Sequence, residues 1–571
     1  MKYANIIWLS WVLLALVSGC SSQEDSMAQA DLEKENARLK ELLALKEENE
    51  KLRAEIAQNP REVTTPQQKQ LLEESSQNTN LRDQIDQEIE ESRFNIKKTD
   101  LRFEGASFNY KGDFASALQC FNELIRLDPL DPGAYQGRGL ANIGLNKYEE
   151  AIRDYSEAIR LDPSNFEYLL SRARAYSKFD EFTKSIRDIN EAIRLKPKHH
   201  PLYVERARIY EREGNYEEAI TNYSEAIRLD STKAYYFHAR ANLLYEQGDF
   251  TAALSDSEEA IRIDPFEGSY FFERGVINRR LGNASRAISD FSEAIRIDPD
   301  DAAAYKTRGQ LYEELGRSED ALRDYNSAIR IDPEYAFAYE SRGELYEELG
   351  RSEDALRDYS SAIRIDPDYA FPYGSRGELY EKLGRSEDAL RDYNSAIRID
   401  PKEYRYMQRG MLYEKTKEFD LAISDYSEAI RVGPKAASHY ISRAFVYEET
   451  KQLDLAIRDY SAAIQIDPNM VLFYRGRGEL YGKQQNYDDA IADFNKAIQL
   501  DPNDFANWFL RAGCFVGMRD YAKAIADYSE TIKLDPNNGE AFYNRGVCYK
   551  AIDQLVNARS DFMKARDLGV Q

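Results

Sequence analysis

The sequence predicts an all-α solenoid, a long stack of helix-turn-helix hairpins preceded by a short coiled-coil or helical stalk. Three observations predict it. Proline recurs at Pro129, Pro163, Pro197, Pro265, Pro299, Pro333, Pro367 and Pro401, each 34 or 68 residues from the last. Glycine recurs at the same interval at Gly214, Gly248, Gly282, Gly316, Gly350 and Gly384. The chain is also rich in tyrosine, 40 in 571 residues, and these too return with the period.

The period holds along the array. Ser231 stands where one proline is missing, a one-residue deletion near Lys402 to Arg405 shortens the step to Pro434, and the spacing resumes at Pro468, Pro502 and Pro536. With a last copy at the C-terminal end, fourteen copies run from about Lys98 to Val570. A representative copy, Ala304 to Pro333, reads AYKTRGQLYEELGRSEDALRDYNSAIRIDP. Its Tyr305, Gly309, Tyr312, Ala321, Tyr325, Ala328 and Pro333 stand in the order of the tetratricopeptide skeleton, and the chain resembles that family over more than four-fifths of its length. The resemblance implies a right-handed superhelix of about fourteen repeats, with the first helices lining a concave groove that holds other proteins.

Elementary packing asks for the same residues. Gly309 and Ala321 are small where two antiparallel helices approach, and Tyr325 fills the space beside them. Gly316 falls between the helices, where a left-handed residue ends the first one. The Asp-Pro pair stops the second helix and sets the turn into the next copy. A lone hairpin cannot bury its apolar face, so the copies stack.

Ahead of the array, Lys2 precedes an apolar run from Ile6 to Val17 and then Ser18-Gly19-Cys20. Twelve residues are short for a membrane span, which needs about 20, and the pattern is that of an export signal. Val17-Ser18-Gly19-Cys20 resembles the bacterial lipobox, with Val in place of the usual leading Leu. The resemblance implies cleavage after residues 1–19, a lipid on Cys20 and a tether over 20–26. With Ser21 following, it also implies an outer-membrane address in a Gram-negative cell envelope. An ordinary secretory signal or a short signal anchor is the alternative.

Over residues 27–58, Leu42, Leu45, Asn49, Leu52 and Ile56 take a and d positions of a heptad, whereas Leu32 and Leu39 fall in a shifted frame. A parallel homodimer and a single solvated stalk both fit. Residues 59–77, with Pro60 and Pro66 among Gln, Glu and Ser, read as a linker. Leu81, Ile85 and Ile89 mark a lead-in helix, so 59–97 is linker plus lead-in and 98–571 the array.

A net charge of −24 argues against nucleic-acid binding, which needs clustered Lys and Arg. His199, His200, His238 and His439 have no metal-ligand spacing. There is no phosphate loop and no nucleophile elbow. No catalytic residue, metal or cofactor is therefore assigned, and a spacer without a client or an enzyme of unrecognised type stand as alternatives to a scaffold. Cys120, Cys514 and Cys548 read as small buried fillers.

An Arg precedes the small residue of the first helix in every copy after the first, and sixteen residues later comes an acid or its amide. Arg308 with Asp324, Arg342 with Asp358 and Arg376 with Asp392 read as structural ion pairs joining the two helices of a hairpin. The groove positions that the resemblance implies are polarised. Copies three to six place Arg174, Lys178, Arg208, Arg212, Arg279 and Arg280 there. The next five place Glu313, Glu314, Glu340, Glu344, Glu347, Glu348, Glu378, Glu381, Glu448 and Glu449, and the last two place Phe509, Val516, Tyr543 and Val547. The expected partner is a protein with a basic segment, anchored at the apolar end. The Lys and Asn set by which some relatives clamp a chaperone's C-terminal carboxylate is missing.

Overall fold

Each helix of a hairpin array carries an apolar stripe that only a neighbour can cover, so the fold is set by which residues let two helices touch. The computed structural model describes residues 34–48, 50, 51, 54 and 66–570, except for the side chains of 66–82. The expected signal 1–19, Cys20, the tether 20–26 and the heptad positions Leu32, Asn49, Leu52 and Ile56 lie outside the described residues. Every regular element among the described residues is helical. Residues 34–48 (α1) are followed by α2 (Pro66–Lys111) and α3 (Phe114–Leu127). From Pro132–Gly144 to Leu555–Asp567 the helices come in pairs.

The chain divides after Ile297 into two units. The first contains α1 to α3 and the pairs from Pro132–Gly144 with Tyr148–Leu161 to Gly268–Arg280 with Ala284–Ile297. The second runs from the pair Ala302–Glu314 with Ser318–Ile331 to the pair Gly539–Ala551 with Leu555–Asp567.

Inside a pair the small residue is a steric requirement. A Cβ on Gly309, Gly343 or Gly377 would stand 2.7–2.8 Å from the ring of Tyr325, Tyr359 or Tyr393, all of them buried. Gly214, Gly248, Gly282, Gly316, Gly350 and Gly384 have φ between 70° and 84° in the turn that follows the first helix. Asn146, Asp180, Lys417, Lys451, Gln485, Arg519 and Asp553 take the same left-handed geometry without being glycine. In the turn after the second helix, Asp332 accepts the Glu334 N–H at 2.9 Å and Asp366 the Asp368 N–H at 3.1 Å.

Successive pairs do not touch evenly. Ala302–Glu314 meets Ala336–Glu348, and Ala336–Glu348 meets Ala370–Lys382, while the second helices of the same pairs approach each other less closely. The one-residue deletion falls in the turn Asp400-Pro401-Lys402, directly before the first helix Glu403–Lys415. Arg405, on the first turn of that helix, is 1% exposed and its Nη1 donates to the Ala370 carbonyl at 3.2 Å.

Two readings of the N-terminal segment change. Residues 66–77, assigned by composition to a linker, are the first turns of the 46-residue helix α2. Pro66 is its first residue, where proline has no hydrogen bond to lose, and the Gln, Lys, Leu and Glu that follow are good helix formers. Of the heptad of 27–58, one described position, Leu42, is covered from within the chain. Leu42, with Leu39, packs on Ile85 and Ile89 of α2, and Arg38 meets Glu88 at 3.3 Å and Lys46 meets Asp86 at 2.6 Å. Leu45 stays 45% exposed.

Candidate protein-binding surface

The arginine that precedes each small residue reaches its Asp with the planar fork. Arg308 Nε and Nη2 donate to Asp324 at 2.7 and 2.8 Å, Arg342 to Asp358 at 2.6 and 2.7 Å, and Arg376 to Asp392 at 2.7 and 2.8 Å. The three Asp are buried. The remaining nitrogen turns to the preceding pair. Arg376 Nη1 donates to Ser360 at 2.8 Å, Arg443 to Ser427 at 2.8 Å, and Arg342 to Asn326. Each such arginine thus joins three helices, and the bonds to those helices engage three of its five N–H donors, which makes it a structural clamp. The third partner had a sequence signal, the Ser or Asn two residues after the Asp in each Asp-Tyr-Ser or Asp-Tyr-Asn run.

The acidic residues sort into two kinds by position. Glu313, Glu347, Glu381 and Glu448 accept from the hydroxyls of Tyr325, Tyr359, Tyr393 and Tyr460, so the second helix fixes one carboxylate per pair. Three of them also receive a lysine from the next pair: Lys382 reaches Glu347 at 2.7 Å, Lys415 reaches Glu381 at 3.1 Å and Lys483 reaches Glu448 at 3.5 Å. At the lysine's position the two pairs from Ala302 and Ala336 carry Glu314 and Glu348 instead, and Glu449 stands there in the pair from Ala437. Glu348 consequently faces Glu313 as a like charge.

Crowding follows from that substitution. Glu313 and Glu340 are raised above the usual carboxylate range, first by desolvation, with Glu348, Glu314 and Glu340 adding to the effect at Glu313. Desolvation, then Glu340, Glu313, Glu347 and Glu348, push Glu344 up to about 7. Glu344 still keeps an exposed face, so solvent screening tempers the energetic cost. Glu378 is raised as well, by desolvation first, while Gln408 donates to it and Lys382 opposes the shift.

The residues that decide the family are now in place: small residue, tyrosine, left-handed turn and Asp-Pro, pair after pair. Family models described as tetratricopeptide repeat match residues 471–504, 238–302, 407–471, 291–323 and 372–403. One described as TPR repeat matches 143–178, 207–248, 309–350, 348–384 and 520–553. The chain is a tetratricopeptide-repeat protein. Its solved neighbours include the C-terminal part of a TPR repeat-containing protein from Cytophaga hutchinsonii, at 19% identity and TM-score 0.38, covering 41% of this chain and 97% of that one. A tetratricopeptide repeat protein from Parabacteroides merdae shares 23% identity at TM-score 0.31, covering 43% and 98%. Yeast Tom70 shares 19% at TM-score 0.31, covering 76% and 98%. Among curated proteins none matches.

Elsewhere in the tetratricopeptide array the expected features divide. In the apolar pairs, Phe509 and Val516 pack into the core around Ala512 and Tyr528, and only Tyr543 and Val547 stay well exposed, at 40% and 39%. In the first unit three of the six basic positions meet an acid: Glu205 lies between Arg174 at 2.6 Å and Arg208 at 3.3 Å, and Arg212 meets Asp180 at 3.0 Å. Cys120, Cys514 and Cys548 are buried free thiols, and burial pushes the last two up to about 11. Among the described residues no His, Cys, Asp and Glu cluster could hold a metal, and no helix is long and apolar enough to cross a membrane.

Sequence reasoning missed an aromatic edge. Phe337 and Phe371, at the starts of two neighbouring first helices, are 46% and 52% exposed. They alternate with Tyr335 and Tyr369, with ring centroids 5.9, 4.7 and 5.9 Å apart along the row. Arg405 continues it, 5.1 Å from Phe371 and 4.8 Å from Tyr404. The signal was present in the Tyr-Ala-Phe strings 335–337 and 369–371, which lie outside the family skeleton.

Proposed function

We propose that this protein is a non-enzymatic scaffold of fourteen repeats that binds basic segments of other proteins on the first-helix face of its second unit. In this reading a lipid on Cys20 holds it at a bacterial envelope membrane, on the outer-membrane side of the sorting rule. The observation that carries the binding half is the like-charge crowding of Glu313, Glu340, Glu344 and Glu348, with Glu344 at about 7. Carboxylates that repel one another in the free protein gain most from an incoming cation, and complementary fields also speed encounter.

The test is binding of fluorescein-labelled decalysine, read by anisotropy at several salt concentrations. Affinity is expected to fall steeply with ionic strength and by at least tenfold in the double variant Glu344→Lys, Glu378→Lys. An affinity indifferent to both salt and the double variant would remove the basic-segment reading. Mass spectrometry of the mature N-terminus tests the anchor: an acylated Cys20 supports it, and an unmodified Met1 ends it.

A further inference from the structure

The acidic residues of the second unit do not stand alone on their face. On the first helix Ala336–Glu348, Phe337, Glu344 and Glu348 are separated by seven and four residues, which places all three on one stripe of a 3.6-residue helix. All three are exposed. The next first helix, Ala370–Lys382, repeats the arrangement with Phe371, Glu378 and Lys382, again exposed. The surface therefore has two parallel lanes crossing the helices: an aromatic lane at their N-terminal ends, and an acidic lane about 10 Å further along the helix axis.

The aromatic lane is built and held. Tyr335 and Tyr369 are half-buried, the first beside Phe337 and the second between the two phenylalanines, the Tyr369 hydroxyl bonds Glu340, and the buried Arg405 backs Phe371. Rings fixed by such neighbours lose little freedom on binding, and large aromatics of this kind are the usual anchors of an interface. We propose that the two lanes together bind one extended segment of a partner protein in which an apolar side chain recurs every third residue with a Lys or Arg between. This rests on the basic-segment reading above and adds the apolar half of the motif, placing the anchor at Phe337 and Phe371 beside the acids.

The period follows from the geometry. Helices in contact run about 8–10 Å apart, and a polyproline II segment advances about 9.3 Å per three-residue turn, returning every third side chain to one face. Its apolar residues would meet Phe337 and Phe371 in turn, and its cations, a third of a turn away, would point toward Glu340, Glu344 and Glu378. Lys382, already engaged with Glu347, closes the acidic lane on the far side.

The experiment uses the purified chain and three fluorescein-labelled dodecapeptides: (Leu-Pro-Lys)4, (Gly-Pro-Lys)4 and (Leu-Pro-Glu)4. The first is expected to bind at least tenfold more tightly than either of the others, and Phe337→Ala with Phe371→Ala is expected to lower its affinity at least tenfold while leaving the circular dichroism unchanged. Because both phenylalanines are about half exposed, Phe337→Gln and Phe371→Gln, which put a polar helix former in place of each ring, serve as a second pair if the alanine variants fold poorly. Equal binding of the Leu and Gly peptides, or full affinity in the phenylalanine variants, overturns this inference while the Glu344 and Glu378 variants still decide the basic-segment reading. Equal binding of the Lys and Glu peptides overturns both.

Discussion

Gly316 and Gln485 sit at the same turn position of their hairpins, with φ of 70° and 62°. Only the first can hold that angle without a Cβ pressed toward a carbonyl, a strain of about 1–2 kcal/mol for an L-residue. Gln485→Gly should therefore stabilise its hairpin by about 0.5–1 kcal/mol, and Gly316→Ala should destabilise its own by about 1 kcal/mol. Native-state hydrogen exchange resolves the two hairpins separately; a loss of protection on Gln485→Gly would contradict the assignment of strain. A second residue-scale effect concerns pH. Glu273 is pushed from 4.5 up to about 7 by burial, against a hydrogen bond from Asn242, while His238, 3.4 Å away, is pushed from 6.5 down to about 4 by burial, against Glu267. From pH 4.5 to 7 folded Glu273 keeps a proton that the unfolded chain has released, so its contribution to stability falls as pH rises. From pH 4 to 6.5 unfolded His238 holds a proton that the folded state lacks, so its contribution rises with pH. The trends oppose each other in the wild-type chain. Glu273→Gln should expose the rise and His238→Gln the fall, read as the urea midpoint of the first unit across that range; matching profiles in the two variants would show that neither group titrates as described.

At the scale of the element, the arginine ladder decides how a hairpin is joined to its neighbours. Arg342 on Ala336–Glu348 holds Asp358 of Ser352–Ile365 and Asn326 of Ser318–Ile331. Arg342→Ala strands a carboxylate whose side chain is 7% exposed, a loss of about 3–5 kcal/mol. Arg342→Lys keeps the charge without the fork and should recover part of it. Faster amide exchange confined to Ser318–Ile365 is the expected signature. The pairing of Arg with Asp was legible in the sequence because a hairpin brings a fixed offset of sixteen residues together. The lysines that neutralise Glu347, Glu381 and Glu448 were not, because they arrive from the next pair and take the carboxylate oxygen opposite the one the Tyr hydroxyl occupies. Reading each first helix as an isolated face counted those glutamates as open. Residues 66–77 were misread for a simpler reason: a polar composition rules out a core, not a helix.

For the whole molecule, a repeat array is stabilised by what each pair buries against the next, and the pair Gly539–Ala551 with Leu555–Asp567 departs from the others at that surface. Ile525 and Ile532 are partly buried against the core around Tyr528. One period on, the same positions are Arg559 and Arg566, both exposed, while Leu555 and Met563 on that helix are 59% and 52% exposed. Isoleucine recurs at these two positions in the preceding copies as Ile457 and Ile464, and as Ile491 and Ile498. The two arginines therefore interrupt an apolar surface that would otherwise continue onto the end face of Leu555–Asp567. Restoring it by Arg559→Ile with Arg566→Ile should join Leu555 and Met563 into one exposed apolar patch, the kind of surface that promotes self-association. Because the positions face solvent, the fold should survive the change, with the same helical circular dichroism. Sedimentation velocity at micromolar concentration is expected to show reversible self-association of the double variant under conditions where the wild-type chain does not associate. A variant that sediments like the wild type would mean that the end face is closed by Leu568 to Val570 and not by the two charges.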